Sequence, residues 1–349
     1  MYKLKLVSRF FVIALFTFLI SCSSGGDKKK TAEAVNSPAT KSAPIEINAE
    51  AKALLGYLDE MGDYVNGRNF PSLIKATSVY EELDKNNLII DLRGPINFKE
   101  GHIKGAVNVA MTGLPEYFSN DIKPFEYDRI ILVCFSGQTS SYSTSLLRLM
   151  GYGNVYAMRW GMSGWDKKSA ESIWIDGVAS KHENQLETGD NKKAEKADFP
   201  ILNSVKTSGE ELLTARYNQL FEEGIVDVLI SAEDVFSNPE KYYIINYDRR
   251  DKYESGHIPG AIRYKPNGTL GIISEMQTIP DNKEVVVYCG TGHNSGFVTA
   301  YLRLFGYNAK TLTYGNNAFM YDKMIQDKKT LSWLPFTEIE IGDYPTVKN

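Results

Sequence analysis

Cysteine and histidine are scarce in this chain, three and four residues in 349. A small disulfide-stapled scaffold is therefore excluded, and a Cys/His zinc cluster has too few ligands to draw on. A strong charge of one sign is also missing. Thirty-nine basic residues stand against 43 acidic ones, a formal charge of −4. No basic field is offered to nucleic acid. The apolar run at residues 10–20 is too short to span a bilayer comfortably. What is present is ordinary globular composition, 43% hydrophobic and 23% charged. That excludes a wholly disordered or collagen-like chain. The length allows two domains, each large enough for its own core. No metal and no cofactor is expected.

The three cysteines have different addresses. Cys22 follows a basic start (Lys3, Lys5, Arg9), the apolar run, and Leu19-Ile20-Ser21. Residues 1–21 are laid out as a signal peptide. The Leu-x-Ser-Cys ending resembles a bacterial lipobox. That resemblance implies cleavage before Cys22 and a lipid on Cys22, with several acyl chains holding the protein at a membrane. Ser23 after it resembles lipoproteins sent to the outer membrane, on its periplasmic or surface face. The alternative is a plain secretory signal with an accidental cysteine. Residues 22–48 are rich in small polar residues, Lys and Pro, and suit a flexible tether.

The remainder repeats itself. Gly101-His102-Ile103-Lys104-Gly105-Ala106 recurs as Gly256-His257-Ile258-Pro259-Gly260-Ala261, an offset of 155 residues. Cys134 recurs as Cys289 at the same offset, and Leu147-Arg148-Leu149-Met150-Gly151-Tyr152 as Leu302-Arg303-Leu304-Phe305-Gly306-Tyr307. This is one domain present twice, over residues 49–180 and 200–349. The polar, charged stretch 181–199 suits a linker.

Each copy alternates strand and helix signals. Residues 88–91, 129–134 and 155–158 are short apolar strands in the first copy. Residues 243–245, 285–289 and 310–313 match them in the second. A helix follows each cysteine, and helical lead-ins are expected around residues 51–64 and 210–222. Continuous apolar strands between helices predict an α/β fold, a central parallel sheet covered on both faces in each copy.

Cys134 and Cys289 thus fall at the carboxyl ends of strands, where parallel sheets bind ligands. The loops read Cys134-Phe135-Ser136-Gly137-Gln138-Thr139 and Cys289-Gly290-Thr291-Gly292-His293-Asn294. Each runs into a helix start, where free backbone N–H groups collect. Those groups can cradle an anion or the outer sulfur of a persulfide. Gly137 and Gly292 permit the tight curl, and the hydroxyls of Ser136, Thr139 and Thr291 can add donors. Taken alone, Cys134 would be a buried small hydrophobe. The loop and its repetition favour a nucleophile. His293 is expected as an exposed polar loop residue, and His102 and His257 as braces of a turn.

In order, each half presents the Asp91-Leu92-Arg93 position, Gly-His-Ile-x-Gly-Ala and Cys-x-x-Gly, with Gly161 to Trp165 after them in the first. Both halves resemble rhodanese domains, the sulfurtransferase family. The resemblance implies sulfur transfer through a cysteine persulfide, with Cys134 attacking the outer sulfur of thiosulfate or a similar donor, and polysulfides or thiols among donors and acceptors. Covalent catalysis of this kind splits one transfer into two easier steps. It also implies that the short loop suits a sulfur atom, where a longer one would suit phosphate. Asp91 and Arg93 are expected as a bracing ion pair, with Arg249 supporting the second loop, whose corresponding positions hold Asn246 and Asp248. Both loops lack the arginine many family members carry, but the first copy keeps the Asp-x-Arg position and has at Thr139 a known family variant, which favours Cys134 over Cys289 without excluding the latter. The alternative is a non-catalytic module that binds an envelope protein partner.

Overall fold

The computed structural model describes residues 46–271, 275–330 and 332–348. Cys22, the signal peptide and most of the tether fall outside the described residues. In the first half β1 (Leu73–Ile74), β2 (Asn87–Asp91), β3 (Val107–Asn108), β4 (Arg129–Val133) and β5 (Val155–Met158) form one sheet, in the order β1-β5-β4-β2-β3. In the second half β6 (Leu229–Ile230), β7 (Tyr242–Asn246), β8 (Ile262–Arg263), β9 (Glu284–Tyr288) and β10 (Ala309–Leu312) repeat it as β6-β10-β9-β7-β8. Every pairing is parallel. The central strand of each sheet, β4 or β9, leads into a cysteine.

Helices of the first half are α1 (Ala49–Glu60), α2 (Ala76–Glu81), α3 (Pro95–Glu100), α4 (Leu114–Glu116), α5 (Gln138–Leu149) and α6 (Lys167–Ala170). Those of the second are α7 (Gly209–Glu223), α8 (Ala232–Ser237), α9 (Arg250–Ser255), α10 (His293–Leu304) and α11 (Tyr321–Gln326). The lead-in helices α1 and α7 start at side-chain caps. Asn48 accepts from the Ala51 amide, and Ser208 from that of Glu211. Asn48 lies at the end of the stretch expected as tether, and its own amide bonds Asp198.

Alternation along β4 divides its side chains between two cores. Ile130 and Leu132 enter a large core that also takes Val285 and Val287 of β9, whereas Ile131 and Val133 pack on the opposite face. All four have no exposed surface. Each contributes roughly 1.5–3 kcal/mol by burial, which pins the strand that carries Cys134. The large core runs between the halves, where α5 packs on α10. That packing is close because the facing residues are small. Ser140, Ser141, Ser143 and Ser145 are buried on α5, and the Gly296 α-carbon leaves room for the Gln138 carbonyl. The Ser145 hydroxyl donates to the Phe297 carbonyl at 2.9 Å.

The trailing segment of each half lies on the other half. Val347 and His102 exchange backbone hydrogen bonds at 2.9 and 3.0 Å, and Tyr344 stacks on Tyr80 at 4.2 Å. Glu187 and His257 make the equivalent exchange at 2.9 Å both ways. Residues 181–199 are thus held along the second sheet domain. Lys193 also donates to the Arg263 carbonyl there.

Candidate active site

Cys134 follows the last residue of β4, and Gly137 caps α5 with φ of +88°. This left-handed turn folds the loop over the sulfur. The Gly137 amide points at Cys134 Sγ from 3.1 Å and the Ser140 amide from 3.4 Å. The Ser140 hydroxyl lies 3.5 Å from the same sulfur and donates to the Gly137 carbonyl at 3.0 Å. Two backbone donors and the positive end of a 12-residue helix therefore converge on one sulfur. Developing negative charge there is stabilised without rearrangement.

The loop is fixed from behind. The Cys134 carbonyl accepts from the Met162 amide at 2.8 Å, and that of Phe135 from Ser163 at 3.3 Å. The Trp174 indole donates to the Ser136 carbonyl at 3.0 Å. A pocket of about 150 Å³ meets the loop at Phe135 and is lined by Arg93, Asn97, Glu100, Asp166, Lys168 and Ile173 among others, with Cys134 outside its lining. Arg93 is buried and grips Asp91 through Nε and Nη2, the latter at 2.6 Å, with Nη2 also on the Gly101 carbonyl. Its guanidinium lies 5.7 Å from the centre of the Phe135 ring. The Thr139 side chain makes no hydrogen bond among the described residues.

The second loop differs. The Ser295 amide reaches Cys289 Sγ at 3.4 Å and its hydroxyl lies at 3.7 Å. Gly292 has φ of +77°, but its amide makes no bond to the sulfur. Arg249 is not brought to this loop. It sits at the cap of α9 with its side chain 70% exposed, paired with Asp251. The cation beside Gly290 is Lys252, one helical turn on, buried in an ion pair with Asp248 at 2.9 Å. The Trp333 ring lies 5.8 Å from its ammonium. The acid and base of the first site (Asp91, Arg93) are thus replaced by a pair shifted along the chain. The Asn294 side chain makes no hydrogen bond among the described residues. Both cysteines are free thiols. Among the described residues no cluster of His, Cys, Asp and Glu is placed to hold a metal.

His293 is not exposed; it is fully buried. Its Nδ1 lies 2.7 Å from the Thr291 hydroxyl, and its Nε2 3.0 Å from the Ser136 carbonyl of the first loop. Trp160 and Trp174 of the first half enclose the ring. Burial, helped by the Arg159 charge, pushes its pKa down to about 3, so the imidazole is neutral. Reciprocally, Gln138 donates to the Leu312 carbonyl at 3.3 Å and accepts from the Tyr314 amide at 3.0 Å. A β-carbon on Gly137 would strike His293, and one on Gly292 would strike Gln138. The two glycines make space for each other's loop as well as turning their own.

Ser140 and Ser295 were not singled out from sequence. The signal was present, because a serine follows each cysteine by six residues at the repeat offset. Lys252 and the reach of His293 carried no local signal.

Comparison with known proteins fits this geometry. The rhodanese-like domain family matches twice, over residues 75–168 and 216–322. The thiosulfate sulfurtransferase GlpE of Pseudoalteromonas translucida is 29% identical over 102 residues, 29% of this chain and 93% of that protein. The tRNA uridine(34) hydroxylase of Teredinibacter turnerae is 25% identical over 174 residues, 47% of this chain and 51% of its own length. A crystal structure of thiosulfate sulfurtransferase from Pseudomonas aeruginosa aligns over 80% of this chain and 69% of that one, at 15% identity and a TM-score of 0.25. With more than half of its residues matched, and each match containing a cysteine loop on a central parallel strand, the chain belongs to the rhodanese-like domain family and carries two copies of the domain.

Proposed function

We propose that the protein is a sulfurtransferase, or sulfane-sulfur carrier, that works through a persulfide on Cys134. The observation that carries this reading is the pair of amides, Gly137 and Ser140, aimed at one sulfur at 3.1 and 3.4 Å. The Cys134 thiolate attacks the outer sulfur of a thiosulfate-type donor. The donor's S–S bond breaks and sulfite leaves with the bonding pair. The new S–S bond leaves a negative outer sulfur, which loop N–H groups stabilise. A thiophilic acceptor such as cyanide then attacks that sulfur, thiocyanate departs, and the Cys134 thiolate returns. A thiosulfate-type donor is proposed by analogy with the sulfurtransferase relative.

Cys289 is the lesser candidate, with one amide on its sulfur and a buried Lys252–Asp248 pair beside Gly290. The location reading is an envelope lipoprotein anchored through Cys22. It rests on the sequence around Leu19 to Ser23 alone. Thiosulfate-to-cyanide transfer tests the activity, with mass spectrometry to find the adduct of one sulfur atom. Absence of persulfide on either cysteine, with every donor tried, removes the reading in favour of a binding module. Metabolic labelling with a fatty acid, compared between wild type and Cys22→Ala, tests the anchor.

A further inference from the structure

The second loop reaches into the first, and what it touches decides its role. Ser136 and Gly137 share one peptide group. Because that group is planar, the Ser136 carbonyl and the Gly137 N–H point in opposite directions. The N–H points at Cys134 Sγ, so whatever holds the carbonyl aims the donor. The Trp174 indole donates to it, and His293 Nε2 lies against it, both at 3.0 Å. His293 Nε2 also lies 3.2 Å from the Trp160 amide. That residue begins the turn whose Met162 amide backs Cys134. One tautomer of the ring donates to the carbonyl and the other accepts from the amide. Either way the nitrogen ties the second domain to the backbone that frames the first sulfur.

We propose that His293 is a positioning residue for Cys134, and that the second cysteine loop serves the first as a brace across the domain boundary. The inference rests on the sulfur-transfer reading for its consequence, though not for its geometry. Gln138 shows what chemistry the position needs. At the matching place in the first loop its amide donates to one backbone carbonyl and accepts from one backbone amide of the other half. A glutamine at 293 can do both at once, whereas leucine fills the space and does neither.

The test compares wild type with His293→Leu, His293→Gln and Trp174→Phe in the full chain. Two readouts are taken: thiosulfate-to-cyanide turnover, and the iodoacetamide alkylation rate of Cys134 at neutral pH by peptide mapping. His293→Leu is expected to lower both about fivefold or more, with KM for thiosulfate within about twofold. His293→Gln is expected to recover most of the loss, and Trp174→Phe, which keeps an aromatic ring but removes the indole donor, to resemble His293→Leu. A packing role predicts the reverse order, leucine tolerated and glutamine poor. That order, or alkylation unchanged in both His293→Leu and Trp174→Phe, overturns the proposal. If His293→Leu does not fold, the other two variants still decide it. If wild type transfers no sulfur, the functional reading fails, and the alkylation series still decides the brace.

Discussion

Gln138 of the first cysteine loop accepts a hydrogen bond from the Tyr314 amide of the second half at 3.0 Å. Its counterpart one repeat on, His293, makes the reciprocal reach. The two loops are therefore a joined structure, and glycine is needed at 137 and 292 for two reasons. Each has a left-handed backbone, and each lies under the side chain of the other loop.

These two reasons separate experimentally. Gly260 has φ of +75° with nothing near its absent side chain, whereas Gly292, at +77°, faces Gln138. Gly260→Ala should lower stability by about 1 kcal/mol for the backbone alone. Gly292→Ala should add about 1–3 kcal/mol of overpacking. Urea unfolding of the two variants measures the difference. Equal losses would contradict the clasp.

Acid should weaken the protein through His293. Its folded pKa is depressed from 6.5 to about 3, while the unfolded chain takes up a proton near 6.5. The contribution is therefore complete above pH 6.5 and is lost as pH falls toward 3, by at most about 1.4 kcal/mol per pH unit. His257 is depressed too, chiefly by burial, and adds in the same direction. Stability measured at pH 7 and pH 5 should fall less in His293→Gln than in wild type. Parallel losses would show that position 293 does not titrate in this way.

Lys252→Met should destabilise the second domain by about 3–5 kcal/mol, because it leaves the buried Asp248 carboxylate without its partner. Adding Asp248→Asn should return most of that loss. Urea midpoints of the single and double variants measure it. Arg249→Ala, at the exposed site, should change stability by less than about 0.5 kcal/mol.

Ser140→Ala removes a hydroxyl from both the sulfur and the Gly137 carbonyl. Turnover should drop about fivefold, the worth of one hydrogen bond, while the persulfide still forms because both amides remain. Turnover equal to wild type would place the hydroxyl outside the mechanism.

The duplicated α/β architecture and the cysteine loops were legible because their signals are local. Apolar strands, glycine turns and a cysteine before a helix lie within a few residues of one another. The serines of α5 are another matter. Ser140, Ser141, Ser143 and Ser145 look like a polar helix in sequence and are buried in the structure. Only the approach of α10 explains them. Arg249 looked suitable by nearness to Asp248, but helical geometry turns Lys252 inward instead. The contacts of His293 with Ser136 and of Val347 with His102 join residues 157 and 245 positions apart. No periodicity within a window reports such pairs.

Sulfur transfer from thiosulfate to cyanide by wild type, Cys134→Ser and Cys289→Ser decides whether Cys134 carries the sulfur, with the persulfide located by peptide mass spectrometry. Persulfide is expected on Cys134, with activity abolished in Cys134→Ser and most activity kept in Cys289→Ser. Activity that survives in Cys134→Ser and disappears in Cys289→Ser would contradict this assignment.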